Sequence, residues 1–281
     1  IALIALTEEI SLNTVKADQP ALRVGMELSY PPFEMTDTAG RPEGISVELA
    51  KSLGKYLGRT IIIENIAFDG LIPALRTGTI DCIISSMTST PERAKADYEA
   101  IRTKAGLMDV SGLKKVHVVG EHAAQVIDRV TTRNVEKIMP GRSTYACMLN
   151  DQGKFIDDCV IYRVSVNSWM VVHGTGTGME QLSTVAASKN CAVIFDDDLH
   201  DMSLQGPVAV NFLQKHVPGI RDLAYFGIMQ TKLFGCPVMI SRTGYTGERG
   251  YEIFCGSKNA IHLWDSILSE GAMMGIVPVQ F

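Results

Sequence analysis

The chain has 281 residues, enough for about two domains that each bury a core. Its composition is that of an ordinary globular protein, 46% hydrophobic and 20% charged, and a net charge of −5 gives no electrostatic footprint for nucleic acid or an anionic membrane. No apolar stretch reaches the ~20 residues of a membrane helix. The six cysteines show no CxxC and the six histidines no HxH or HExxH, so neither a disulfide framework nor a metal site is expected and the thiols read as buried and reduced.

Residues 1–21 read as a tail. IALIALTEEISLNTVKADQ carries a short apolar run, then Val15-Lys16-Ala17, small at the positions a signal peptidase prefers. It is either the remnant of a signal peptide or an ordinary N-terminal tail, and both ends of the chain look cut.

In residues 22–96, LRVGM suits a buried strand, and the loop SYPPFEM follows, its paired prolines excluding helix and ladder. ISVELAKSLGKYLG places Ile45, Leu49, Leu53, Tyr56 and Leu57 on one helical face, closed by Gly58. TIIIE is a second strand, DGLIPALRTG a second helix and IDCII a third strand. This alternation predicts a parallel α/β lobe, with ligands gathered beyond the carboxyl ends of its strands.

YPPFEM and FDGLIPALRTGTIDCIISSMTSTPER resemble the first lobe of the periplasmic amino-acid-binding proteins of ABC transporters, of the lysine/arginine/ornithine and histidine type. The resemblance implies that Tyr30 and Phe68 sandwich an amino-acid side chain, that Ser86, Thr88 and Arg93 hold its α-carboxylate, and that Glu27 takes a basic group. A guanidinium fork suits a carboxylate, and aromatic faces suit a cationic stem. Read alone, Tyr30 is a packed loop aromatic and Arg93 a solvated helix start. The resemblance further implies an ABC permease as partner and a periplasmic setting. The second lobe such proteins need does not follow.

Residues 97–281 change pattern. DYEAIRTKAGLMDVS leads into the strand KKVHVV and the helix EHAAQVIDRV; STYACML and FIDDCVIYRV are strands joined by the turn NDQGK, and SWMVVHG is another. MEQLSTVAAS is a helix, CAVIF a strand and GPVAVNFLQKH a helix. CPVMISR and GYEIFCG are strands bridged by TGYTGER, and NAIHLWDSILSEG is a last helix. Hairpin-linked strands mixed with packed helices predict α+β with mainly antiparallel sheets.

EAIRTKAGLMDVS, MLNDQGKFIDD, LQGPVA and RTGYTGERGYEIF, in this order, resemble the folate-dependent aminomethyltransferase superfamily of the glycine cleavage T-protein, which also holds folate-dependent demethylases. The resemblance implies tetrahydrofolate as cofactor, a small-molecule one-carbon donor and a cytoplasmic setting. Glu252 matches the pterin-binding acid, Asp157 the central carboxylate near the folate nitrogen, and Tyr145 and Tyr245 aromatics near the pterin. Without it, Asp157-Asp158 after a turn are surface acids and Glu252 an exposed strand residue, while Glu248 stays a turn residue.

HGTGTG, residues 173–178, invites a nucleotide reading, but its glycines run GxGxG with no βαβ unit around them. Two departures bear on substrate: DVSGL stands where the glycine-cleavage enzyme usually has DVSHM, and His173-Gly174 where it has an asparagine. Both positions face the substrate region in the superfamily, so the departures count against an aminomethyl donor and leave a methyl donor plausible. The helix and barrel that continue the superfamily's chains do not follow. The expectation is a junction of two gene pieces near Ala96-Asp97. The function is one-carbon transfer by residues 97–281 or, alternatively, a solute-binding module, or an inert fusion.

Overall fold

The computed structural model describes residues 20–85 and 91–280, so the expectations for residues 1–19, Ser86, Thr88 and the side chain of Arg93 lie outside the described residues. Contacts divide the chain between residues 88 and 89 into two units.

In the first unit, Leu22–Met26 (β1) is apolar and buried at four of five positions, as a strand flanked on both edges requires. A two-stranded hairpin, Met35–Thr36 (β2) and Pro42–Glu43 (β3), precedes the helix Ile45–Leu57 (α1). Ile61–Asn65 (β4), Phe68–Arg76 (α2) and Cys82–Ile83 (β5) complete the unit. The sheet is parallel in the order β4-β1-β5, with Val24 opposite both Ile63 and Cys82. The α/β lobe read from the sequence is thus present. Helix α1 ends as expected on Gly58 in the left-handed region (φ 64°), which glycine adopts without a Cβ clash. Its buried face differs, however. Ser46, Val47, Ala50 and Gly54 pack inward, and Ile45, Leu49, Tyr56 and Leu57 are exposed, because small residues let the helix lie close to the sheet.

The second unit opens with Pro91–Thr103 (α3), which runs unbroken through the expected junction at Ala96-Asp97. Two contacts tie this helix to later segments: Arg102 pairs with Glu248 at 2.9 Å, and Asp97 Oδ2 accepts from Gln280 N–H at 3.2 Å. Then follow Ala105–Asp109 (β6), Lys114–Val119 (β7), Ala123–Val130 (α4), Arg142–Leu149 (β8), Phe155–Arg163 (β9), Ser168–His173 (β10), Gly178–Ala186 (α5) and Ala192–Phe195 (β11). Leu199–Gln205 (β12), Ala209–Leu213 (α6), Ile228–Leu233 (β13), Cys236–Ser241 (β14), Gly250–Gly256 (β15), Ser257–Gly271 (α7) and Ile276–Pro278 (β16) close it.

A five-stranded sheet, β11-β7-β10-β9-β8, is wholly antiparallel. A six-stranded sheet, β13-β14-β15-β12-β6-β16, is antiparallel except for β16 on β6. Helices α4 and α5 cover the outer face of the first through Val126, Ile127 and Leu182 against Ile161, Trp169 and Val171. Helices α6 and α7 cover the second through Phe212, Leu263 and Ile267 against Leu204, Tyr251 and Ile253. The inner faces meet at Tyr162, Met170, Val172 and Phe254, with the Tyr162 and Phe254 rings edge to face at 5.4 Å. Two carboxylates lie on different faces of this arrangement.

Candidate functional site

Strand period sets the first. On β15, Tyr251, Ile253 and Cys255 enter the helix-covered core, so Glu252 and Phe254 point between the sheets. Glu252, opposite Ser203 on β12 and Ser241 on β14, is 7% exposed. Its Oε2 accepts from the Tyr162 hydroxyl at 2.7 Å and from the Thr243 hydroxyl, and its Oε1 has no partner among the described residues. Burial pushes the Glu252 carboxyl above the usual carboxylate range, against the pull of the Thr243 and Tyr162 bonds.

Around Glu252 the inner face of the second sheet is polar: Asp201, Ser203 and Gln205 on β12 are all fully buried. Neither side-chain oxygen of Asp201 has a hydrogen-bond partner among the described residues. Its carboxyl is raised well above the usual range by burial and then by Glu252, with Lys115 opposing. Lys115, also buried, donates to the carbonyls of Ser111 and Leu113 at 2.6 and 2.8 Å, and burial lowers its ammonium pKa. The sequence patterns singled out none of Tyr162, Thr243, Asp201 or Lys115. A polar residue at every second position of a strand was the available signal for β12.

Of the two expected aromatics, Tyr245 is 63% exposed, and its hydroxyl is raised by partial burial and then by the field of Glu252. Tyr145 shares the inner face of the first sheet with Tyr162 but sits on the edge strand β8. It donates to Asp158 at 3.0 Å, a bond that pushes its hydroxyl up to about 12.

Asp157 lies on the other face of the first sheet, opposite Met148 of the helix-covered core. Its Oδ2 accepts from Gly176 N–H at 2.9 Å and meets His173 Nδ1 at 2.9 Å, and its Oδ1 accepts from Asp158 N–H at 2.9 Å. The HGTGTG loop packs directly against this carboxylate. A Cβ at Gly174 would lie 3.1 Å from Asp157 Oδ1, and one at Gly176 would run into the Ile156 carbonyl and lie 2.9 Å from Asp157 Cβ. No hydrogen bond joins Asp157 to Glu252. Glu248, read as a turn residue, is held by Arg102.

Two hollows adjoin the inner layer. One of about 820 Å³ is lined by His117, Met170, Met239 and Phe254 and touches none of the expected site residues. A polar one of about 230 Å³ is lined by Arg242, Gly244, Arg249 and Thr243, the partner of Glu252. All six cysteines are free thiols, and only Cys159 and Cys255 are buried, so the expectation of buried thiols holds for those two.

In the first unit the parallel register brings Glu27 and Tyr30 after β1, Phe68 after β4 and Ser85 after β5 to one edge of the sheet. Tyr30 stacks on Phe33 at 5.6 Å, and Phe68 is half-buried at the start of α2. Ser85 accepts from Glu27 N–H at 3.0 Å and donates to Glu34 at 3.2 Å. Glu34, which the sequence patterns did not mark, is buried and also accepts from Ser46 at 2.6 Å.

Residues 83–280 match the profile of the GCVT N-terminal domain family, and residues 22–98 that of bacterial extracellular solute-binding proteins, family 3. A heme-dependent oxidative N-demethylase gamma subunit of Ectopseudomonas mendocina is 64% identical over 184 residues, 66% of this chain and 49% of that protein. An aminomethyltransferase of Bacillus pumilus is 31% identical over 192 residues, 66% of this chain and 52% of that protein. Among solved structures, aminomethyltransferase T of the glycine cleavage system from Bartonella henselae superposes with a TM-score of 0.61 at 26% identity, covering 68% of this chain and 52% of that one. The chain thus spans about half the length of the curated relatives it matches.

Proposed function

The chain belongs to the GCVT N-terminal domain family, and we propose that residues 97–281 carry the folate-binding part of a tetrahydrofolate-dependent one-carbon transferase. The observation that carries this reading is the state of Glu252: a buried carboxylate with one oxygen held by two hydroxyls and the other left as an acceptor. Such an oxygen suits the amide-like donor edge of a pterin, at roughly 1.5–3 kcal/mol for a charge-assisted bond. Tetrahydrofolate, when bound, supplies the nitrogens that take up the one-carbon unit. Glu252 anchors and orients its ring, with Tyr162 and Thr243 fixing the carboxylate and Tyr245 flanking it. Asp157 stabilises positive charge or takes a proton at the reacting carbon. The N-demethylase name of the 64% identical relative, together with Gly112 and His173 at the departing positions, favours an N-methyl group over an aminomethyl group as source of the carbon. Titration of the chain with tetrahydrofolate, parent against Glu252→Ala, tests the reading. Loss of roughly 1–3 kcal/mol of binding is expected, and equal affinity would remove the pterin assignment.

A second reading concerns the first unit alone. The gathering of Glu27, Tyr30, Phe68 and Ser85 at one sheet edge favours an amino-acid site, with an ABC permease as partner of the ancestral module. A single lobe leaves the ligand's ammonium half in water, so calorimetry with arginine should find weak binding. A submicromolar dissociation constant would contradict that.

A further inference from the structure

We propose that His173 is the positioning residue of Asp157, locking one carboxylate oxygen and leaving Oδ1 as the oxygen presented to a ligand. The ring lies at the end of β10, between Lys114 of β7 and Cys159 of β9 in the ladder, and its side chain is fully buried. Its Nδ1 is 2.9 Å from Asp157 Oδ2. A carboxylate offers only acceptors, so Nδ1 carries a hydrogen. The other side of the ring supports the same tautomer. Nε2 is buried without a partner among the described residues, and an unmatched acceptor is tolerated in an interior better than an unmatched N–H. The start of α5 closes over the ring, since a Cβ at Gly178 would lie 3.1 Å from His173 Cε1 and 2.6 Å from Met148 Sδ. The imidazole is thus enclosed.

Oδ2 then receives two donors, the His173 ring and the Gly176 backbone N–H. Among the described residues Oδ1 receives only Asp158 N–H and keeps acceptor capacity, while the Asp157 side chain stays 12% exposed. A carboxylate held this way presents the same oxygen at the same angle each time, which is what orientation contributes to rate. The glycines of HGTGTG serve the same end.

The structural part stands without the folate reading, whereas its catalytic consequence rests on that reading. Imidazole nitrogen NMR of the full chain at pH 8 decides the first. A protonated Nδ1 with a bare Nε2 is expected, shifting toward the Nε2–H form in Asp157→Leu, while an Nε2–H tautomer in the parent overturns the proposal. Turnover with tetrahydrofolate decides the second. His173→Leu should lower kcat on the order of a hundredfold with KM nearly unchanged, and His173→Asn, which keeps an N–H donor, should recover part of it. If Asp157→Asn is inactive and a folded His173→Leu turns over like the parent, positioning by His173 is wrong. If Asp157→Asn is itself as active as the parent, the folate reading fails, and the NMR result still decides the geometry.

Discussion

Asp157 and Glu252 are both strand carboxylates of one unit, yet they are held by different means. Asp157 is gripped mainly by backbone, through the N–H groups of Gly176 and Asp158, with His173 behind. Glu252 is gripped by two side-chain hydroxyls in a buried polar layer that also holds Asp201, whose carboxylate has no partner among the described residues. A backbone cradle fixes direction and needs glycine where the chain comes close. A side-chain cradle tolerates low dielectric at the cost of raised pKa values. The first suits an atom that must be aimed, the second a ring that must be matched and held.

Four changes sharpen that contrast. The largest effect is expected at Asp157→Asn, whose amide hydrogens face donors and whose charge is gone. Turnover should fall by roughly 10²–10⁴ while tetrahydrofolate affinity is nearly kept, read from kcat beside calorimetry. Gly176→Ala forces a methyl against the Ile156 carbonyl, and should lose about 1–3 kcal/mol in urea unfolding. Asp201→Asn tests the buried layer. The carboxyls of Asp201 and Glu252 are raised in the folded chain, so the native state binds more protons than the unfolded one above the ordinary carboxylate pKa. Stability should therefore fall as pH rises from that value through the raised one. Removing the Asp201 ionisation should flatten the decline and stabilise the chain at pH 7 by about 1 kcal/mol, seen in melts across pH 4–8. The smallest effect is expected at Gly112→Ala, where a Cβ meets nothing within 4 Å, with a change inside about 0.5 kcal/mol.

Much of this was legible in the sequence where ordinary periodicity held. ISVELAKSLGKYLG reads as a helix from its period and its closing Gly58, and the apolar runs of β7, β8, β9, β10 and β15 read as strands because burial and hydrophobicity agree there. They disagree at β12. LHDMSLQ alternates polar and apolar residues as a half-exposed strand does, yet its polar set, Asp201, Ser203 and Gln205, is buried on the inner face. They disagree again on α1, where the apolar stripe is the exposed one and small residues pack inward. KAGLMDVS conceals β6 because no breaker separates it from α3, and GPVAVNFLQKH folds into only one short helix, α6. At the site, motif resemblance nominated Asp157 and Glu252. Their partners Tyr162, Thr243 and His173 come from other strands and loops, and only the pairing of strands brings them near.

The account turns on Glu252 as the acceptor for a pterin, and Glu252→Gln tests it most directly. Glutamine keeps a carbonyl oxygen for the Tyr162 and Thr243 hydroxyls, so the fold should hold. It also exchanges the second acceptor oxygen for an N–H donor, which faces the ligand's own donors. Calorimetry of the full chain with tetrahydrofolate should show binding weakened roughly tenfold or more beside an unchanged unfolding midpoint. Parent-like affinity in a folded Glu252→Gln would contradict the assignment of this carboxylate to folate.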